Sequence, residues 1–391
     1  MLAKYAKLLH SLYEIGPLSK SELAKHLDVE KNTAGRLVTF LEQNAYIQPI
    51  VNRHRNKRYS VNPRYALSLG IEHSFSYIRY VLVDASNKIL SKNTVCVELK
   101  NSNERLHTIN EIIENNLPIQ SDQVKTIGIS EFVSHHKSGT AALSARLPDW
   151  PSVRIDQFIQ KKHHISPCFI GNTDAYCLYE KLSSEKKFLN EEYSPASLSF
   201  PFIYVQADEG IGLSVMTDRG FFRGDTEIFG ELGHVTVQPH GEICICGNQG
   251  CLETISGVRS ILQKAEKFGL FHEVTDASGK NEKTIKALSR LAHSGNTFAQ
   301  LLLKEAGSAL GQALAATANI LGIIHIILGG ALMDADEIIL PAAAEQIKKN
   351  CVKPLNTLVM LQRSSANEYS AATAAAWLAL EQHFAQLRLE D

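Results

Sequence analysis

The first sixty residues carry apolar positions at helical spacing. Leu2, Tyr5, Ala6, Leu8, Leu9 and Leu12 recur every three to four positions, and Gly16-Pro17 ends the run. Ser19-Lys20-Ser21-Glu22 has the form of a capping box, in which the serine hydroxyl accepts from the Glu22 amide while the Glu22 side chain reaches back. Leu23, Ala24 and Leu27 then give a second helix its apolar face. Asp28-Val29-Glu30 is a short break, and aspartate tolerates the left-handed backbone such a turn needs. A third helix is predicted from about Lys31 to Asn44, with Leu37, Val38, Phe40 and Leu41 facing inward. Tyr46-Ile47 and Tyr59 to Val61 read as two strands around a polar loop, Asn52 to Arg58.

From Leu67 the pattern changes to strands alternating with helices. Strands are predicted at Ile78 to Val83, Thr126 to Ile129, Phe202 to Val205 and Ile323 to Leu328. Helices are predicted at Asn103 to Asn116 and along the alanine-rich run Thr297 to Leu321. This is an α/β layout. The polar stretch Ser183 to Ser199 reads as a surface loop.

A chain of 391 residues is long enough for two or three domains. No apolar run is long enough to span a bilayer, and Met1 to His10 lacks the apolar core and cleavage site of a signal peptide, so a cytoplasmic location is expected. Charge is spread unevenly. Residues 1–66 hold eleven basic and five acidic side chains, a net of +6, so an overall charge of −1 leaves −7 for the remainder. A basic head on an acidic body points to a polyanion partner for the head alone.

Helix, short turn, helix and basic hairpin is the order of a winged helix-turn-helix, whose second helix enters the major groove of double-stranded DNA. Lys31, Asn32, Thr33 and Arg36 take the outward positions of that helix. Asparagine and arginine can read adenine and guanine edges, while lysine and threonine suit phosphates or single contacts. The wing would place Arg53, Arg55, Lys57 and Arg58 on backbone phosphate or in the minor groove. The competing reading is a small helical protein-interaction module with a solvated basic loop.

Seven cysteines in a chain of this class do not form a disulfide framework. Cys96, Cys168, Cys177 and Cys351 are scattered and read as buried thiols. His234, Cys244, Cys246 and Cys251 are grouped as H-x9-C-x-C-x4-C, a three-thiolate, one-imidazole set suited to a closed, structural Zn2+ site. Gly247 and Gly250 would let the short loop turn tightly enough to bring the sulfurs together.

Glu231-Leu232-Gly233-His234, followed by Cys244-Ile245-Cys246-Gly247-Asn248-Gln249-Gly250-Cys251-Leu252-Glu253, closely resembles the signature of the ROK family of repressors, open reading frames and kinases. Gly70-Ile71 through Val83-Asp84, Leu147-Pro148-Asp149-Trp150, and Asn319 through Gly329-Gly330 resemble further parts of it. The resemblance implies an actin-like, ribonuclease-H-like pair of α/β lobes around a cleft, usually in homodimers or homotetramers. With it the chain divides into a head, 1–66, and a ROK domain, 67–391. Lobe one would be about 67–171 plus 371–391, and lobe two about 172–370.

The resemblance also implies sugar contacts at Glu231, His234 and Glu253, and at Asn172, which stands at the position of the kinases' catalytic aspartate and keeps a hydrogen-bonding side chain for a sugar hydroxyl without the chemistry. His234 would bind the metal through one ring nitrogen and face the sugar through the other. Alternatively, Glu231 and Glu253 merely brace the metal loop. The kinase elements depart from the family pattern. The first phosphate loop reads Glu72-His73-Ser74-Phe75-Ser76, and the second places Asp208-Glu209 where polyphosphate would sit. Asn172 is an amide that accepts no proton, and Asp174 falls two residues late. The expectation is a sugar-responsive DNA-binding regulator, a repressor, that binds a sugar or sugar phosphate without phosphorylating it. The alternatives are an active sugar kinase with a DNA-binding head, and a regulator governed by a sugar-transport protein docking on Ala371 to Leu389.

Overall fold

A computed structural model describes residues 2–51, 57–97, 102–117, 124–132, 153–189, 198–225, 228–273 and 282–387. Arg53 and Arg55 of the expected wing and the segment Leu147-Pro148-Asp149-Trp150 lie outside them. Residue contacts divide the chain into two compact units. Unit one comprises Met1–Ala175, Leu182–Pro195 and Asn367–Asp391; unit two comprises Tyr176–Lys181 and Ala196–Ala366.

The chain opens with α1 (Leu2–Ile15), α2 (Lys20–His26), α3 (Lys31–Gln43) and the hairpin β1 (Ile47–Val51) and β2 (Lys57–Val61). The capping box forms as the sequence predicts: the Glu22 amide donates to Ser19 Oγ and the Ser19 amide to the Glu22 carboxylate. Asp28 holds φ of +51°, the left-handed turn between α2 and α3. Leu8, Leu9, Leu23, Val38 and Leu41 close the small core of the head. Phe40 stays only half-buried and packs its ring on Tyr5 at 4.5 Å.

Next come β3 (Leu67–His73), β4 (Tyr77–Asp84), β5 (Ile89–Cys96), α4 (Ser102–Asn116), β6 (Val124–Glu131), α5 (Ile155–His163), β7 (Cys168–Gly171) and α6 (Asn172–Leu189). The sheet of unit one runs β5-β4-β3-β6-β7, an antiparallel three-strand meander extended by two parallel strands. β3 is buried along its whole length, as a central strand covered on both faces should be. Helix α6 runs through residues 183–189, where the composition suggests the start of a surface loop over Ser183 to Ser199; residues 190–197 lie outside the described residues. Polar residues such as Glu185, Lys186 and Lys187 are good helix formers, and no glycine or proline breaks the segment before Pro195.

Unit two holds β8 (Phe202–Ala207), β9 (Ile211–Thr217), β10 (Gly220–Phe221), α7 (Glu253–Ser256), α8 (Val258–Lys267), α9 (Ile285–His293), α10 (Thr297–Leu321), β11 (His325–Gly329), α11 (Asp336–Asn350), α12 (Leu355–Leu358) and β12 (Met360–Arg363). Its sheet runs β10-β9-β8-β11-β12 and repeats the same scheme of meander plus two parallel strands. The core joins Ile203, Val205 and Leu328 of the sheet to Leu303, Leu310 and Leu314 of α10.

The last helix, α13 (Ser370–Gln386), belongs to unit one and packs on β3, β6 and α1. It therefore joins the head to the sheet. Tyr13 of α1 donates to the Trp377 carbonyl at 2.9 Å and to Asn87 Oδ1 at 2.6 Å. His10 sits between Glu14 and Glu381, and hydrogen bonding to Glu381 holds its pKa above the ordinary value against the opposing effect of burial. On the sheet side α13 presents alanines, and a Cβ added at Gly128 would lie 1.9 Å from the Ala375 carbonyl oxygen. Gly128→Ala is thus expected to push α13 off the sheet and destabilise the protein by about 3 kcal/mol, read from chemical denaturation. Among the described residues no helix is long and apolar enough to cross a membrane.

Candidate functional site

The loop 230–253 in unit two is built to converge side chains. Gly230 has φ of +80°, and a Cβ there would meet the Leu213 carbonyl at 1.8 Å. The chain then makes a 3-10 turn, Leu232–His234, and Thr236 pairs antiparallel with Cys251. A second small ladder joins Ile243 to Gln249, with the Cys244 amide donating to the Asn248 carbonyl at 2.8 Å. Gly250 sits at φ of +75°, where a Cβ would strike the Gln238 carbonyl at 1.8 Å, so this position admits glycine alone.

This folding gathers His234, Cys244, Cys246 and Cys251, with one ligand atom from each lying within 4.8 Å of all the others. Cys251 and Cys244 are buried and Cys246 is exposed. The spacings suit one tetrahedral ion. Metal–sulfur bonds of about 2.3 Å place two sulfurs about 3.8 Å apart, and a sulfur about 3.5 Å from an imidazole nitrogen. Cys246 Sγ and Cys251 Sγ are separated by 3.7 Å, and Cys244 Sγ and His234 Nδ1 by 3.5 Å. Four protein donors leave no open position, which suits a structural metal.

The other face of His234 looks toward carboxylates. Nε2 lies 3.8 Å from Glu231 Oε2. Glu253, the first residue of α7, lies against Gly210 and Gly233, whose added Cβ atoms would come within 3.1 and 3.3 Å of its Oε2. Desolvation raises the pKa of Glu231, with the negative charge of Glu253 adding to the rise and His234 opposing it. Two carboxylates and an imidazole nitrogen on one side of a braced loop can bind vicinal hydroxyl groups. Asn172 is in unit one, at the start of α6, where its Oδ1 accepts from Ser130 and its Nδ2 donates to the His73 carbonyl at 3.3 Å.

The segments that resemble phosphate loops are occupied by the protein's own groups. In unit one, Arg105 of α4 is fully buried and donates to the carbonyls of Ser74 and Phe75 and contacts His73 Nε2 at 2.8 Å. Burial holds the pKa of His73 below its ordinary value, although Glu131 pulls the other way. In unit two, the Ala331 amide, just after Gly329-Gly330, donates to Asp208 Oδ1 at 2.6 Å, and Gln206 donates to Asp208 Oδ2 at 2.6 Å. A carboxylate thus sits on an amide that could otherwise face a phosphate. Neither Arg105 nor the Ala331 contact was visible in the sequence, because both partners lie far away along the chain.

In the head, Lys31, Asn32 and Arg36 are exposed, Thr33 is half-buried, and Ala34, Leu37, Val38 and Leu41 are turned inward. Two of the basic wing residues are engaged within the head: Lys57 with Glu42 at 2.9 Å, and Arg58 with Glu22 at 2.9 Å and the Pro17 carbonyl at 3.2 Å. Sequence reading gave those two residues to DNA alone. Thr39, which it passed over, is exposed on the same helix face as Asn32 and Arg36; their i, i+4, i+7 spacing was the available signal.

Comparison with known proteins adds both regulators and kinases. The chain is 24% identical over 346 residues to a xylose repressor of Caldicellulosiruptor bescii, covering 85% of this chain and 84% of that one. It is 26% identical over 285 residues to a glucokinase of Thermotoga maritima, covering 71% of this chain and 86% of that one. Among solved structures, a ROK family transcriptional regulator described as a homologue of the Escherichia coli Mlc protein superposes with a TM-score of 0.77 at 18% identity, over 97% of this chain and 96% of that one. The fold is therefore that of the actin-like repressors and sugar kinases. The model of the ROK family matches residues 68–382, and the chain belongs to the ROK family.

Proposed function

We propose that this protein is a sugar-responsive, DNA-binding transcriptional regulator, acting as a repressor, whose ROK domain binds a sugar or sugar derivative without phosphorylating it. The observation that carries the reading is the exposed polar face of α3, in a head that precedes the family region. The resemblance to a xylose repressor along most of both chains supports it. Double-stranded operator DNA is the partner of the head, through Lys31, Asn32, Thr33 and Arg36, with Arg53, Arg55, Lys57 and Arg58 on phosphate. A homodimer or homotetramer would present two such heads to a two-part operator.

In the body, His234, Cys244, Cys246 and Cys251 would hold a structural Zn2+, which fixes the His234 ring. Glu231, His234 and Glu253 would contact the ligand. The ligand alters DNA affinity only as far as it favours one conformation over another. The kinase reading draws support from the glucokinase match. Against it stand Asp208 on the Ala331 amide and an amide, Asn172, where proton abstraction needs a base. A coupled ATP assay over common hexoses is expected to show no turnover.

A thermal-shift screen of sugars and sugar phosphates tests the ligand site. One ligand is expected to raise the unfolding temperature of the wild type, and Glu231→Ala to lose the shift. Losing hydrogen bonds to a charged partner corresponds to about tenfold or more in affinity. A shift of equal size in the variant would remove Glu231 from the site.

A further inference from the structure

Three glycines lie inside α-helices among the described residues: Gly35 in α3, and Gly307 and Gly311 in α10. Glycine is among the weakest helix formers, so each needs a reason. For two of them the reason is internal. A Cβ on Gly307 would meet the Ile339 carbonyl at 2.7 Å, and one on Gly311 the Ala343 carbonyl at 2.3 Å, so both let α11 approach α10. Gly35 has no such neighbour: a Cβ there would meet nothing within 4 Å.

Its position supplies an external reason. Asn32, Gly35, Arg36 and Thr39 follow i, i+3, i+4, i+7 spacing and share one helix face. Asn32, Arg36 and Thr39 are exposed, while the opposite face carries the buried Ala34, Leu37, Val38 and Leu41. We propose that Gly35 is the point of closest approach between α3 and the major groove, where the 5-methyl group of a thymine rests on the helix backbone. The methyl projects from the base edge into the groove and makes apolar contacts. The bare Cα of Gly35 offers an apolar floor between two polar readers, so the operator carries a T·A pair between the pairs read by Asn32 and Arg36. This rests on the reading of the head as DNA-binding.

The test uses the full-length chain and a duplex selected by it from a random-sequence pool. Gly35→Ala is expected to keep or raise the unfolding temperature, since alanine is the better helix former and has room. Its affinity for the selected duplex is expected to fall by about tenfold or more, and by more than its affinity for unselected DNA. Thymines are then replaced one at a time by uracil, which removes only the methyl. At one position in each half-site the wild type is expected to lose affinity, and Gly35→Ala to recover much of what it lost. Equal affinity of variant and wild type for the selected duplex overturns the proposal. So does a weakened variant that no uracil substitution rescues. If the wild type selects no sequence at all, the DNA-binding reading itself fails, and the proposal with it.

Discussion

Cys251→Ser is expected to release the metal and to lower the unfolding midpoint of the protein by about 8–16 °C. Cys251 is fully buried, faces Cys246 at 3.7 Å, and is joined through Thr236 to the start of the loop. The residues from His234 to Cys251 are mostly exposed, and few of them reach a hydrophobic core. Their fold therefore depends on cross-linking by the ion, in the manner of small metal-stabilised loops. Losing a buried ligand is one of the few single changes that costs about 4 kcal/mol or more. For a unit of this size each kcal/mol moves the midpoint by about 2–4 °C. Metal analysis of the purified wild type should find one zinc per chain, the Cys251→Ser variant close to none, and a Cys96→Ser control the wild-type content. Wild-type protein free of metal and unshifted by a chelator would refute the assignment. Because His234 Nε2 faces Glu231, the Cys251→Ser variant should also lose its response to the sugar ligand.

Replacing Asn32 and Arg36 together by alanine is expected to abolish operator recognition while leaving the fold intact. Both side chains are exposed, so their removal leaves no cavity. Each bidentate base contact accounts for about 1–3 kcal/mol of discrimination, and the pair together for about a hundredfold or more in affinity. The two sit one helical turn apart and can share bases, so the combined loss need not equal the sum. Lys57 should behave differently. Its ammonium is 2.9 Å from Glu42, and binding phosphate means giving up that pair. Lys57→Ala should weaken all sequences alike and reduce the salt slope by about one unit, whereas Glu42→Gln should tighten binding. An Asn32→Ala/Arg36→Ala variant that still held operator DNA in a fluorescence-anisotropy titration would place recognition elsewhere.

Much of this was legible because it is local. Capping box, turn and third helix involve neighbours three to seven residues apart, and helical or strand periodicity reports them directly. The long helix α10 spans Thr297–Leu321, the bounds its pattern predicts, because an alanine- and leucine-rich run without proline has one stable backbone form in a core. Short or exposed strands escaped notice. β5 is largely exposed and polar, and β10 has two residues, so neither carries an alternating pattern. The grouping of His234 with Cys244, Cys246 and Cys251 was readable since all four lie within one loop. The engagement of Lys57 and Arg58 was not, because Glu42 and Glu22 come from other elements of the head.

By itself, then, the sequence determined the order of the head, the α/β character of the body, the donor set of the candidate metal centre, and membership of the family. Each rests on residue type and short-range spacing, which the chain carries whatever its tertiary fold. Tertiary structure alone decided which groups are already committed. It placed Asp208 on an amide 123 residues away, Arg105 on the carbonyls of Ser74 and Phe75, and Tyr13 of the head on α13 364 residues later. It also separated Gly307 and Gly311, pressed against a neighbouring helix, from Gly35, which faces open space. Such contacts join distant segments by packing, and no periodicity along the chain records which surfaces will meet.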